Sequence, residues 1–334
     1  MTYKVEDKKI LITGAGSLGT ALTHNLLQYH PDIIRVLDNR EMALFSLEKQ
    51  IGRLGDVRLL LGDVRDLPRL RRAVEDVDVV FHTGAYKQIP FGEYDPKEFV
   101  LTNVVGTQNV IDASLDEEVD RVGYVSTDKA CSPLNCYGVS KLMAEKLVTA
   151  ANYYKGARRI RLFCVRYGNV FGSAGSVVPL FKTQLNQNQP LTMTDPQMTR
   201  FNITMGEAIN FILKSLDTTR GAEVFIPKLK SYRLIDLAEA MIELTEKNVK
   251  TKTIGVRAGE KLHEMLYNEN EARTIVDIGW AYAILPPDVM IKRFGLNYTF
   301  DDVKSAPIKA YTSKDVPKLS RQEIKGLLKR EGFI

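Results

Sequence analysis

Short apolar runs and helix-compatible stretches alternate through the first half of the chain. Lys9-Ile-Leu-Ile-Thr13 reads as a buried strand, and Gly14-Ala-Gly16-Ser17-Leu18-Gly19 follows it. A helix is predicted over 20–29. A second strand runs over 33–37 and ends at Asp38, and a third runs over 57–61 and ends at Gly62-Asp63-Val64. Further strands are predicted at 78–82, 121–126 and 160–165. Strands separated by helical stretches imply right-handed crossovers, hence an α/β chain with a parallel, doubly wound sheet.

The pattern loosens after Arg166. Residues 172–176 read as a glycine-rich loop, and 182–200 are polar and broken by Pro190 and Pro196. Amphipathic helices are predicted at 207–216 and 234–246, with short strands at 224–226 and 253–256. The expected organisation is a dinucleotide-binding domain over 1–172, to which parts of 203–228 return. A smaller, interleaved α/β substrate domain takes 173–202 and 229–300. A polar tail, 301–334, ends in a basic helix over 321–329.

Composition narrows the function little. Lys and Arg exceed Asp and Glu by 46 − 41 = 5, with no long basic run, so nucleic acid is not an expected partner. No apolar run approaches the roughly 20 residues of a membrane helix, and the charged N-terminus lacks a signal-peptide core. A cytoplasmic protein without a membrane partner is expected. The three cysteines and four histidines show no disulfide or metal-ligand spacing, so no metal is assigned.

Chemistry enters at two places. Gly14-x-Gly16-x-x-Gly19 sits between a strand and a helix, where glycine lets the backbone approach a pyrophosphate. Asp38 ends the next strand 38 − 19 = 19 residues on, the place of the ribose-binding acid of a Rossmann-like domain. An acid there favours NAD; Arg40 close by could offset it and admit NADP.

The second place is Thr127-Asp128-Lys129, which follows the fifth strand, with Tyr137 and Lys141 beyond it. Tyr137 and Lys141 are four apart and share one helix face. A lysine ammonium beside a phenol favours the ionised phenol, a base for hydride chemistry. Asp128 and Lys129 supply a separate acid/base pair at a strand end, where open parallel sheets bind ligands. Arg200, Arg257 and Lys261 have forks or charges suited to diphosphate oxygens, although each type is also common on solvated surfaces.

These segments together resemble the extended short-chain dehydrogenases, and within them the UDP-N-acetylglucosamine 4,6-dehydratases of the 5-inverting kind. The likeness is carried by Ala85-Tyr-Lys-Gln-Ile-Pro90, Thr102-Asn-Val-Val-Gly106, Ser126-Thr-Asp-Lys-Ala130, Tyr137-Gly-Val-Ser-Lys141, Arg166-Tyr-Gly-Asn-Val170, Gly172-Ser-Ala-Gly-Ser176, Met198-Thr-Arg-Phe201 and Arg257-Ala-Gly-Glu-Lys-Leu-His263. It implies a hydro-lyase with an internal redox cycle and a retained NAD or NADP. Tyr137, lowered by Lys141, would take the C4 hydroxyl proton, with Thr127 hydrogen-bonded to that oxygen. Lys129 would be the base at C5, and Asp128 the acid that releases the C6 hydroxyl.

The likeness places Gly14, Gly16, Ser17, Leu18, Gly19, Asp38, Arg40, Asp63, Val64, Gly84, Ala85, Asn103, Tyr137 and Lys141 at the cofactor. It places Lys87, Asn169, Ser176, Arg200, Arg257 and Glu260 at the UDP-sugar. It also implies a homo-oligomer.

There are departures. The glycine turn is one residue shorter than the Gly-Gly-x-Gly form usual in that family, Gln88 stands where histidine is usual, and Asn202 replaces an aromatic. Asp38-Asn-Arg-Glu-Met-Ala-Leu-Phe is similar to the membrane-anchored 5-retaining dehydratases, which usually carry methionine at the Tyr137 position. A nucleotide-sugar 4-epimerase, a 5-retaining dehydratase and a non-enzymatic dinucleotide sensor are the alternatives.

Overall fold

A computed structural model describes residues 3–52, 55–300, 303–307 and 309–334. The domain bounds expected at Met1 and Asp301 lie outside these residues.

Six strands, β1 (Lys9–Thr13), β2 (Ile33–Asp38), β3 (Val57–Leu61), β4 (Val79–His82), β5 (Arg121–Val125) and β6 (Arg161–Val165), form most of the parallel part of a ten-stranded sheet. Their order is β3-β2-β1-β4-β5-β6, followed by Val224–Pro227, Ala281–Ile284, Ile275–Asp277 and Lys304–Ser305. Val224–Pro227 joins β6 in parallel, and the remaining strands are antiparallel. Strand order reverses between β1 and β4, which opens a crevice at the strand C-termini, where ligands of such sheets bind. Thr13 pairs with His82 at that edge.

Both sheet faces are covered, which is why the strands read as nearly unbroken apolar runs. Along β1, Ile10 and Ile12 pack with Leu22 and Leu26 of the Ser17–Leu26 helix and with Ile209, Ile212 and Leu216 of the Met205–Thr218 helix. Leu11 faces the other way, toward Leu70, Val110, Ile111, Ala144 and Val148 on three further helices. Thr204 starts the Met205–Thr218 helix with a reciprocal capping box to Glu207, which satisfies two end groups of that helix.

The second half differs from the pattern-based expectation in three places. A helix, Val177–Asn186, runs into the stretch expected to be polar and broken. The strand expected at 253–256 lies instead at Thr251–Thr253, paired with Leu191–Met193. Gly255 at φ +86° turns the chain out of the extended conformation just beyond it. The Arg321–Arg330 helix, expected as the end of a polar tail, contributes Ile324, Leu327 and Leu328 to a core shared with Phe181, Leu185, Leu237 and Met241.

Candidate active site

The turn after β1 has the tight packing its glycines allow. Gly14 has φ +94°, and a Cβ on Gly19 would lie 1.8 Å from the Gly14 carbonyl oxygen. The helix therefore starts against the turn, with Gly16 and Ser17 exposed, Leu18 half-buried, and no side chain capping its N-terminus. A helix N-terminus left open in this way can receive a phosphate group. Buried Asp38 accepts from the Ala15 N–H (2.7 Å) through Oδ2 and from the Arg40 N–H (2.8 Å) through Oδ1. The Arg40 guanidinium folds back onto the same carboxylate at 3.1 Å.

Asp63, half-buried, accepts from Asn39 and from the Arg65 N–H, and Val64 is buried behind it. Gly84 and Ala85 lie half-buried beyond β4, with Gly84 backed against the Gly14 turn. Asn103 sits in a π-helical turn, and its side chain is fully engaged within the protein. It accepts from the Tyr86 N–H, donates to the Tyr86 carbonyl, and donates to Ser140 Oγ on the Cys136–Tyr154 helix.

The chain leaves β5 into an extended Thr127 and a short 3₁₀ turn, Asp128–Ala130. Asp128 is fully buried. Its Oδ1 accepts from the Thr127 hydroxyl at 3.1 Å and from Lys129 Nζ at 3.0 Å, while Oδ2 has no partner. Lys129 Nζ also donates to Asn169 Oδ1 at 2.9 Å and lies 3.3 Å from Glu264 Oε1. Glu264 is 2% exposed, its Oε2 has no partner, and Arg200 Nε stands 3.8 Å from Oε1. Sequence reasoning missed Glu264; the one signal was an acid immediately after Arg257-Ala-Gly-Glu-Lys-Leu-His263, in a segment already marked for the site.

These four charges set one another's protonation. Burial raises the Asp128 carboxyl above its ordinary value and Glu264 adds repulsion, with Lys129 compensating in part. Burial disfavours the Lys129 ammonium, but Asp128 and Glu264 outweigh it and hold the group above an ordinary lysine. Burial also disfavours the Glu264 anion, and Lys129, Arg200 and Lys261 overcome that and hold it below the usual range. Glu264 is the standing anion, and Asp128 is the carboxyl that takes a proton more readily.

Tyr137 and Lys141 share the Cys136–Tyr154 helix as the spacing requires, but their electrostatics differ from expectation. Burial raises the Tyr137 phenol; the main opposing influences are the Lys129 ammonium and the Thr127 hydroxyl. Lys141 Nζ instead donates to the Val125 carbonyl at 2.6 Å and lies 4.1 Å over the Tyr124 ring. Burial pulls it down to about 7, with Glu145 opposing. The expectation that Lys141 lowers Tyr137 is corrected here: desolvation exceeds the neighbouring charges, and Lys129 is the leading favourable cation.

A cavity of about 110 Å³ lies beside this cluster, lined by Lys129, Asn169, Arg200, Glu260 and Glu264 among others. It gathers three of the expected sugar-site residues, Asn169, Arg200 and Glu260. Arg200 is nearly buried, and its guanidinium donates to the carbonyls of Thr199 and Leu262, so its charge faces Glu264 more than open solvent. Arg257 is exposed, 4.0 Å from Glu260. Ser176 stands at the start of the Val177–Asn186 helix with its hydroxyl unpartnered. Lys87 donates to the Ala174 carbonyl at 3.0 Å, and the Ala174 N–H donates to Ser17 at 3.4 Å, so one loop touches both the helix start after the glycine turn and Lys87, a residue expected at the sugar. Asn135, not singled out beforehand, caps the Cys136–Tyr154 helix through Gly138 and donates to the Gly259 carbonyl, tying that helix to the loop that carries Arg257 and Glu260.

Comparison with known proteins agrees with this geometry. The family model described as "Polysaccharide biosynthesis protein" matches residues 10–286. A UDP-N-acetylglucosamine 4,6-dehydratase (inverting) of Campylobacter jejuni is 42% identical over 282 residues, covering 84% of this chain and 83% of the relative. A protein of Methanocaldococcus jannaschii described as an uncharacterized membrane protein is 42% identical over 337 residues, covering 98% and 97%. Among the described residues no helix is long and apolar enough to cross a membrane. A UDP-glucose 4-epimerase of Rickettsia canadensis is 35% identical over 332 residues, covering 96% and 95%. The X-ray structure of Pen from Bacillus thuringiensis superposes with a TM-score of 0.92 at 36% identity, covering 99% of both chains. Matched by that family model over most of its length, and by relatives at 42% identity, the chain belongs to the family described as polysaccharide biosynthesis protein.

Proposed function

We propose that the protein is a hydro-lyase that converts UDP-N-acetylglucosamine to a UDP-4-keto-6-deoxy-hexosamine, with inversion at C5, for surface glycan synthesis. The observation that carries this reading is the Asp128–Lys129 pair at 3.0 Å, buried at the end of β5 beside Tyr137. A simple oxidation or epimerisation needs the tyrosine; a dehydration needs an acid and a base as well. The inverting dehydratase relative at 42% identity supports the same reading.

The glycine turn and Asp38 fit NAD, which would supply the hydride acceptor at C4 and the hydride returned to C6. Arg40, folded onto Asp38 and 62% exposed, could instead turn toward the 2′-phosphate of NADP. Tyr137 removes the C4 hydroxyl proton, and Thr127 orients that oxygen. The resulting ketone acidifies the C5 proton. Moving one proton from Lys129 to Asp128 leaves the net charge unchanged and yields a neutral amine base with a carboxylic acid beside it. Lys129 then takes the C5 proton while Asp128 protonates the departing C6 hydroxyl, and water leaves. Asn169 holds Lys129 in position, and Lys87, Ser176, Arg257 and Glu260 face the nucleotide sugar.

The test is proton NMR of UDP-N-acetylglucosamine with the enzyme in heavy water and no added cofactor. A new C6 methyl signal with deuterium at C5 is expected, and the ring couplings report the C5 configuration. The epimerase relative at 35% identity favours a second reading, UDP-sugar 4-epimerisation. That outcome would give a product of unchanged mass. We infer further that the enzyme is cytoplasmic and a homo-oligomer; exposed Phe91, Tyr94 and Met143 support the association. A monomer in light scattering, or co-sedimentation with membranes, would overturn that.

A further inference from the structure

Lys129 has more partners than a lone acid/base pair requires. Its Nζ is held by Asp128 (3.0 Å), Asn169 (2.9 Å) and Glu264 (3.3 Å). The second carboxylate comes from a different part of the chain and is placed by its backbone. The Glu264 N–H donates to Ser313 Oγ at 2.9 Å, and the Ser313 N–H donates to the Glu264 carbonyl at 2.8 Å. Two buried carboxylates around one ammonium cost desolvation, one oxygen of each is left without a partner, and Glu264 lines the cavity. An arrangement of this cost, at the reacting end of the fold, suits a lysine whose charge is present at rest, is given up as its proton passes to Asp128, and re-forms when the C5 proton is taken.

We propose that Glu264 is a positioning residue of the elimination step, which orients Lys129 toward C5 and stabilises the ammonium that forms as Lys129 takes the C5 proton. The inference rests on the dehydratase reading above. The balance is simple. The C5–H bond breaks to Lys129, its electron pair forms the C5–C6 double bond, and the C6–O bond breaks as Asp128 gives its proton to the leaving oxygen. Lys129 becomes cationic and Asp128 anionic as this happens. Glu264, an anion before and after, is attracted to the new ammonium 3.3 Å away. Arg200 keeps Glu264 ionised. The relation is that of a third group orienting a general base.

Asp128, Lys129, Glu264 and Arg200 are not alone at this place. Tyr137 faces them from its helix, Lys261 and Glu260 from the loop before Glu264, Lys87 from the loop after β4, and Tyr232 from the Ser231–Arg233 strand. The isosteric change Glu264→Gln leaves these side chains in place; the loss of the anion also eases ionisation of the Tyr137 phenol, so the C5 isotope effect, which reports proton removal by Lys129, is read beside the pH profile.

The experiment compares wild type, Glu264→Gln and Glu264→Asp as full-length protein with bound cofactor. Turnover of UDP-N-acetylglucosamine, its deuterium isotope effect at C5, and the pH profile are measured, together with the ¹⁵N signal of the Lys129 ammonium in sugar-free protein. Glu264→Gln should lower kcat about a hundredfold with KM nearly unchanged, as loss of a charge-stabilising group does. It should raise the C5 isotope effect and move the Lys129 titration and the acid limb of the profile to lower pH by about one unit or more. Glu264→Asp should recover part of kcat. An unchanged isotope effect and pH profile in Glu264→Gln would overturn the inference, even if kcat fell. Should Glu264→Gln fail to fold, Glu264→Asp carries the test, because a displaced charge should raise the isotope effect and a wild-type value refutes the role. A wild type that forms no dehydrated product overturns the dehydratase reading instead, and the Lys129 ammonium signal then still reports on the Glu264 contact itself.

Discussion

Lys141 donates its ammonium to the carbonyl of Val125, two residues before the reactive Thr127, at 2.6 Å. Burial lowers this lysine to about 7, whereas in the unfolded chain it titrates near 10.4, as an ordinary lysine. Between those values the unfolded state binds more protons than the folded one, so this group makes stability rise with pH. The contribution is limited to about 1.4 kcal/mol per pH unit for one proton. In cofactor-free protein the urea midpoint should climb more steeply from pH 7 to 9 in wild type than in Lys141→Met. Parallel curves would show that Lys141 is not a lowered lysine.

Arg166 is the largest fully buried charged side chain. It donates to both oxygens of Glu145 (2.9 and 2.6 Å), to both oxygens of Glu271 (3.0 and 2.9 Å) and to the Leu266 carbonyl. Glu145 belongs to the Tyr137 helix and Glu271 to the second half, so the guanidinium joins the two. Arg166→Met leaves two carboxylates without their cation and should cost about 3–5 kcal/mol in denaturant unfolding. Arg166→Lys should not restore the loss, since an ammonium cannot bridge two carboxylates by paired forks. A loss below about 1 kcal/mol would mean the network is dispensable.

Removing Lys129, the proposed C5 base, should separate the two half-reactions. In Lys129→Ala, C4 oxidation should survive in part and call for higher pH, because the Tyr137 phenol loses its leading favourable cation; it is visible as reduced nicotinamide absorbance on mixing with substrate. Formation of the C6 methyl group should fall by about 10²–10⁴-fold, as loss of a general base predicts. Tyr137→Phe should abolish both signals. A Lys129→Ala enzyme with wild-type methyl formation would remove the mechanism.

The glycine turn gives a separable effect on cofactor. A Cβ at Gly19 would sit 1.8 Å from the Gly14 carbonyl oxygen, so Gly19→Ala must displace the turn from the helix start. Cofactor affinity should fall by about tenfold or more, equivalent to 1.4 kcal/mol. Isothermal titration with NAD and with NADP measures it, and unchanged affinity for both would show that the phosphate cradle lies elsewhere.

Much of this was visible in the chain itself. The strands β1 to β6 were legible because a sheet covered on both faces needs nearly unbroken apolar runs: no polar residue interrupts Ile10–Leu11–Ile12, and one arginine each, Arg35 and Arg58, breaks β2 and β3. Thr127, Asp128 and Lys129 were legible from their place after such a run. The Val177–Asn186 helix was not, because Pro179 and the preceding glycines look like loop until Phe181 and Leu185 are seen packed in a core. Glu264 was hidden for a different reason. In a charged segment, nothing local distinguishes a buried acid from a solvated one; its position depends on Ser313, far along the chain. The raised Tyr137 phenol was likewise out of reach, since residue spacing reports neighbours but not desolvation.

The sheet order also governs how the chain can be divided. Between β6 and Val224–Pro227 the backbone leaves the sheet to build other helices, then returns to cover the β6 edge. A polypeptide cut near Gly172 would keep every residue of the dinucleotide turn yet expose β6 as a bare, apolar edge strand. Such an edge invites pairing with other copies. The two halves are therefore expected to mature together, and the late closure of distant segments makes acquisition of the native state slow relative to a helical protein of equal size.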